Sequence, residues 1–192
     1  TTRDFALLHL IQRITPIEIK TPSLESELKE IIRERDDITK DRFDHIIENC
    51  IILDIDKSIL IEDFFKLVAE KLCVRLNIES CNFLNLLIER EKESSTIITS
   101  GIALPHIIIE GEKTFDILLA RCKPGIIFLD IPTKVNTVFV LAGTRDERNF
   151  HLRALSAIAQ IVQDPHFNDR WLAAKSVEAL RDNVLLGKRK RK

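Results

Sequence analysis

The chain has 192 residues, 45% hydrophobic and 31% charged, with 29 Lys and Arg against 30 Asp and Glu. This is the balance of one folded domain with a short extra segment, and a net charge of -1 excludes a nucleic-acid binder that relies on uncompensated basic residues. No apolar run reaches the ~18–20 residues of a membrane helix and nothing resembles a signal peptide. The sequence opens Thr1-Thr2-Arg3 and contains no methionine, as expected of a piece of a longer polypeptide. If its parent is a membrane protein, the spans lie outside these residues.

The first stretch spaces Phe5, Leu8 and Ile11 as a helix does, and Thr15-Pro16 ends it. Ser23 is the expected N-cap of a highly charged helix with a narrow stripe of Leu24, Leu28, Ile31 and Ile32. A further short helix is expected to start near Thr39 or Asp41. Residues 1–50 thus read as a helical connector arm, residues 51–186 as the main domain, and residues 187–192 as a basic tail.

The main domain opens with the β-branched run Ile51 to Ile55, a strand. A helix follows with Ile61, Phe64, Phe65, Val68, Leu72 and Leu76 on one stripe, then another with Ser80 as its cap. Residues 94–112 read as strand and loop. Two strong strands come next, around residues 114–122 and 136–143, with Lys123-Pro124-Gly125 as a turn after the first. The long helix beyond them is expected to face inward through Leu152, Leu155, Ala159 and Val162. Pro165 precedes a short helix, and Ser176 caps a last one that stops at Gly187. Strands interleaved with helices predict an α/β domain, a mixed sheet flanked by helices on both faces.

The four cysteines, Cys50, Cys73, Cys81 and Cys122, include no CxxC pair and no histidine at metal-ligand spacing, so neither a metal nor a cofactor is expected. Cys73 and Cys122 sit in apolar patterns, where a buried free thiol is the ordinary reading. His9, His45 and His166 carry no motif and read as structural.

Three pieces in order carry a resemblance: "LLIEREKESST" (Leu86 to Thr96), "SGIALPH" (Ser100 to His106) and "VFVLAGTRDERNFHLRAL" (Val138 to Leu155). They resemble the enzyme IIA domain of the fructose–mannitol class in the bacterial sugar phosphotransferase system, over roughly Ile51 to Leu185. More narrowly, the whole chain is similar to IIA-like domains at the cytoplasmic C-terminus of amino-acid permease-like or cation antiporter-like transporters. The resemblance implies that His106 is the phosphoryl acceptor and that His151 lies beside it. A neutral imidazole suits that role, and phosphoryl transfer needs alignment and positive charge more than covalent help. Arg90 is then the expected guanidinium contact to phosphate, with Ser95 or Thr96 as a hydroxyl donor. Glycines that the family carries before its histidine motif are replaced here by Ile97 and Thr99, leaving Gly101.

The expected function is a cytoplasmic regulatory domain of a membrane transporter, set by phosphorylation at His106 or by a ligand in the same pocket. The alternatives are a phosphoryl-relay IIA component of a sugar system and a non-catalytic dimerisation scaffold. Expected partners are the parent transporter's membrane domain, a histidine phosphocarrier protein and a second copy of the chain, with no nucleic acid.

Overall fold

A computed structural model describes residues 39–128, 132 and 134–191, together with positions 6, 27, 28, 30 and 31. Apart from those five positions the two expected arm helices lie outside the described residues, as does Lys192. The elements run α1 (Arg42–Asn49), β1 (Ile51–Ile55), β2 (Ile59–Leu60), α2 (Ile61–Leu76), α3 (Ser80–Glu93), β3 (Ile97–Thr99), β4 (Ile102–Ala103) and β5 (His106–Ile109). They continue with β6 (Phe115–Ile127), β7 (Val135–Thr144), a 3₁₀ turn (Arg145–Glu147), α4 (Arg148–Val162), α5 (Phe167–Ala173) and α6 (Val177–Leu185).

The seven strands form one sheet in the order β1-β6-β7-β4-β3, with β2 also paired to β6 and β5 to β7. β6 and β7 are antiparallel, while β1 and β2 run parallel to β6 and β4 and β5 parallel to β7. The two central strands are apolar on both faces because helices cover both. Leu118, Ala120, Val138 and Val140 pack against Phe64, Phe65, Val68 and Leu72 of α2. Ile117, Leu119, Phe139 and Leu141 point the other way, into a core closed by α1, α4, α5 and α6. This is the predicted mixed sheet flanked on both faces.

Four local expectations change. Lys123-Pro124-Gly125 is not a turn that ends a strand: β6 runs through it, and its pairing with β7 shifts between Arg121 and Ile126. The Asn136 amide donates to the Cys122 and Lys123 carbonyls at 2.9 and 2.8 Å, satisfying groups that the bulge takes out of the ladder. Gly125, at φ +96°, sits where a Cβ would lie 2.5 Å from that of Lys134. On α4 the buried face is His151, Ala154, Ala157, Ile158 and Ile161, while Leu152 is 50% exposed. The expected stripe is one position out of phase, a rotation of about 100°. Small alanines let the helix lie close to the sheet, and this outweighs the pull of the larger leucines. Ser80 is the first residue inside α3 rather than its cap, and Cys73 is only half-buried.

The domain boundary at residue 51 also moves. α1 begins at a capping box in which Asp41 accepts from the Asp44 N–H and Asp44 from the Asp41 N–H. Its Phe43 and Ile47, with Cys50, join the core beneath β6 and β7, so the helix belongs to the domain rather than to the arm. The end of the chain closes on the same helix. Arg189 pairs with Asp41 at 2.7 Å and Asp44 at 2.9 Å, and Arg191 with Asp44 at 3.1 Å. The Arg189 side chain is 2% exposed, and its guanidinium lies 4.7 Å over the Phe43 ring. The expected basic tail is, over these residues, a clamp.

Candidate functional site

His106 is the first residue of β5, paired to Leu141 of the central strand β7. The loop before it is fixed at both ends. Gly101, at φ +83°, turns the chain and offers its carbonyl to the N–H groups of Asn136 and Thr137. The Pro105 carbonyl accepts from the Leu141 N–H at 2.9 Å. Ile107 and Ile109 are buried against the α2 side, and alternation therefore turns His106 and Ile108 toward α4.

The ring's protonation follows from its contacts. Nδ1 lies 2.9 Å from the Leu104 carbonyl oxygen, which can only accept, so Nδ1 carries the hydrogen. Nε2 is left with its lone pair, and an Arg90 N–H reaches it at 3.3 Å. Arg90 leaves the last turn of α3, and its other terminal nitrogen donates to the Ser94 carbonyl and hydroxyl at 3.0 Å each. A surface ion pair among the neighbouring glutamates is not what holds it.

His151 sits at the start of α4, 4% exposed, its ring centroid 5.9 Å from that of His106 at an interplanar angle of 76°. Phe115 packs edge-on to its other side at 5.3 Å. Gly143 makes room for both rings, since a Cβ there would meet Phe115 at 2.5 Å and His151 Nδ1 at 3.5 Å. Burial, and then the charge of His106, lower the His151 pKa from its usual 6.5 to about 4. Both ring nitrogens are buried without a hydrogen-bond partner among the described residues. Such a group is costly unless something arrives to use it.

A cavity of about 420 Å³ opens over the pair. Arg145 and Arg148 line it with His106 and His151, and Ile108, Leu152 and Leu155 form its apolar wall. Ile108 and Leu152 are 46% and 50% exposed at this wall. No motif in the sequence marks the two arginines. Their signal was the spacing of Arg145, Arg148 and His151, three residues apart, which puts them along one side of the turn and helix.

The other two expected donors are engaged elsewhere. The Thr96 hydroxyl is buried and donates its one hydrogen to Glu91 at 2.6 Å, so it has none left for a phosphate. The Ser95 oxygen is exposed and accepts from the Ile97 N–H at 3.3 Å. Ile97 to Thr99, where the family's glycines were expected, form β3. Among the described residues there is no cluster of His, Cys, Asp and Glu suited to a metal ion, and no helix long and apolar enough to cross a membrane.

A mixed, doubly covered sheet that sets a strand histidine against a helix histidine defines a IIA-type phosphotransferase domain of the fructose–mannitol kind. Residues 45–185 match the family described as "Phosphoenolpyruvate-dependent sugar phosphotransferase system, EIIA 2", and the chain belongs to it. It is 34% identical over 104 residues to the mannitol-specific phosphotransferase enzyme IIA component of Bacillus subtilis, covering 52% of this chain and 68% of that protein. With the fructose-specific EIIABC component of the same organism it shares 31% identity over 99 residues, 51% of this chain but 16% of that protein's length. A nitrogen regulatory protein of Klebsiella oxytoca is 29% identical over 117 residues, 60% of this chain and 72% of that protein. In fold, the chain is similar to the nitrogen regulatory protein IIA-Ntr of Neisseria meningitidis, with a TM-score of 0.67 at 22% identity, over 75% of this chain and 99% of that one. The IIA mannitol structure from Escherichia coli gives 0.57 at 17% identity, over 69% and 94%.

Proposed function

We propose that His106 accepts a phosphoryl group at Nε2 from a phosphohistidine carrier and passes it to a downstream acceptor. The observation that carries this reading is the Leu104 carbonyl on Nδ1, which leaves Nε2 as the nucleophile beside Arg90. As the Nε2–phosphorus bond forms, the donor's nitrogen–phosphorus bond breaks and its electron pair returns to the donor ring. The hydrogen stays on Nδ1, donated to the Leu104 carbonyl, which stabilises the positive charge that the phosphorylated ring gains. Arg90, Arg145 and Arg148 balance the phosphoryl oxygens, and the unpartnered His151 N–H is available to donate to one of them.

Incubation with phosphoenolpyruvate, enzyme I and the phosphocarrier protein, followed by intact mass and phosphorus NMR, tests the reading. The expected product is one acid-labile phosphoryl group per chain, absent in His106→Ala. No uptake by a folded chain, with carriers from its own host, overturns it.

A second reading uses the same chemistry for regulation, with the phosphorylated state as the signal. The matches to two nitrogen regulatory proteins favour it. Attachment to a permease-like or antiporter-like membrane part, and pairing of two copies, draw their support from the sequence resemblance alone. The sugar-specific phosphotransferase relatives favour phosphoryl transfer as the primary reading.

A further inference from the structure

Arg42 lies on α1, far from β5 in the sequence, yet it makes two contacts that lead to the histidine pair. Its guanidinium holds the Glu147 carboxylate through two hydrogen bonds, at 2.7 and 3.0 Å. Glu147 is the residue from which α4 starts, so this fork fixes where the helix begins. That beginning carries Arg148 and His151, with Arg145 in the turn just before it. The same guanidinium lies 4.2 Å over the Phe150 ring. Phe150 meets Phe115 edge-on at 4.9 Å, and Phe115 meets His151 edge-on at 5.3 Å. Every link in this series is at contact distance, and Gly143 keeps its last step free of a side chain.

We infer that Arg42 is a positioning residue for phosphoryl transfer, acting through Glu147 and the Phe150–Phe115 pair to hold His151 beside His106. The inference rests on the phosphoryl-acceptor reading of His106. His151 has no hydrogen bond to orient its ring among the described residues, so ring packing and the helix start are what set its direction. Arg42 governs both. It does so from the helix that directly follows residues 1–41, which makes the start of the domain part of the transfer machinery.

The test uses the full chain with nitrogen-labelled histidine, the His151 ring signals being assigned through His151→Gln. Arg42→Gln is expected to shift those signals and to slow phosphoryl uptake by about tenfold, the scale on which misplacement by a fraction of an ångström acts. Arg42→Lys keeps the charge but loses the fork, and is expected to recover part of both. Glu147→Gln halves the fork and Phe150→Leu removes the ring contact, and each is expected to give smaller changes of the same kind. They also serve if Arg42→Gln does not fold. Arg181→Gln is the control for stability alone, because Arg181 binds the Ile47 and Cys50 carbonyls at the other end of α1 from Arg42. It is expected to lower the unfolding midpoint and leave the His151 signals and the rate unchanged. Unchanged signals and rate in Arg42→Gln, or equal effects in Arg181→Gln, overturn the inference. If the wild type takes up no phosphoryl group, the acceptor reading fails by itself. The His151 signals then decide the positioning role alone, and their constancy in Arg42→Gln overturns it.

Discussion

The two histidines differ in what holds their protons. His106 has a carbonyl on one nitrogen and a guanidinium on the other, whereas among the described residues the buried His151 has neither. The depressed pKa of His151 makes its neutral form the native one. Between 6.5 and about 4 the unfolded chain therefore binds more protons at this residue than the folded chain does. Its contribution to stability is complete above pH 6.5 and is lost as pH falls toward about 4. Replacing it in His151→Leu removes that loss, so the variant gains stability relative to the wild type across this window, as urea titrations at several pH values would read. The same variant is expected to take up phosphate about a hundredfold more slowly, the usual effect of removing one oxyanion donor. Arg90→Lys retains charge but not the fork that spans Ser94 and His106, and its uptake is expected to fall about tenfold in stopped-flow or quench assays. A motif surrounds each of His106, His151 and Arg90 in the sequence, and the folded chain brings Arg90 and His151 to His106. Arg145 and Arg148 were hidden in the acidic and basic run of residues 145–148, where nothing marks which charges face inward. The sequence is equally silent on Thr96: that its hydroxyl is taken by Glu91 is a fact of the folded chain.

Among the elements, the junction of β7, β6 and α4 is the most demanding. Gly143 faces Phe115 so closely that a methyl group there forces the ring off His151. Gly143→Ala is expected to cost about 1–3 kcal/mol of stability, as overpacking does. Thermal unfolding measures the loss, and Phe115→Leu in the same chain is expected to restore part of it by shortening the obstructing side chain. The strands and α2 were readable because their apolar pattern is dense enough to leave one interpretation. The bulge in β6 was not, because Lys-Pro-Gly looks the same whether a strand ends or steps past a partner. The helix face of α4 was missed because hydrophobicity ranks leucine above alanine, while close approach to a sheet ranks them the other way. Leu152 and Leu155 were apolar for the cavity wall instead.

For the whole molecule, the pairs joining Arg189 and Arg191 to Asp41 and Asp44 link positions 148 and 147 residues apart. No local pattern announces them, which is why these residues read as a basic tail. Asp44 is 1% exposed, and removing its main partner leaves a carboxylate in the core margin. Arg189→Ala is expected to cost about 3 kcal/mol, the scale of a broken buried pair, measured by chemical unfolding. Lys188→Ala, on an exposed residue of the same segment, is expected to cost little. The clamp has a mechanical consequence as well. Chain entering at residue 41 and chain leaving at residue 191 pass through one corner of the domain. Tension between those two points falls on a staple of ion pairs before it reaches the register of β6 and β7. Positions 41 and 191 are thus tied at a single pivot.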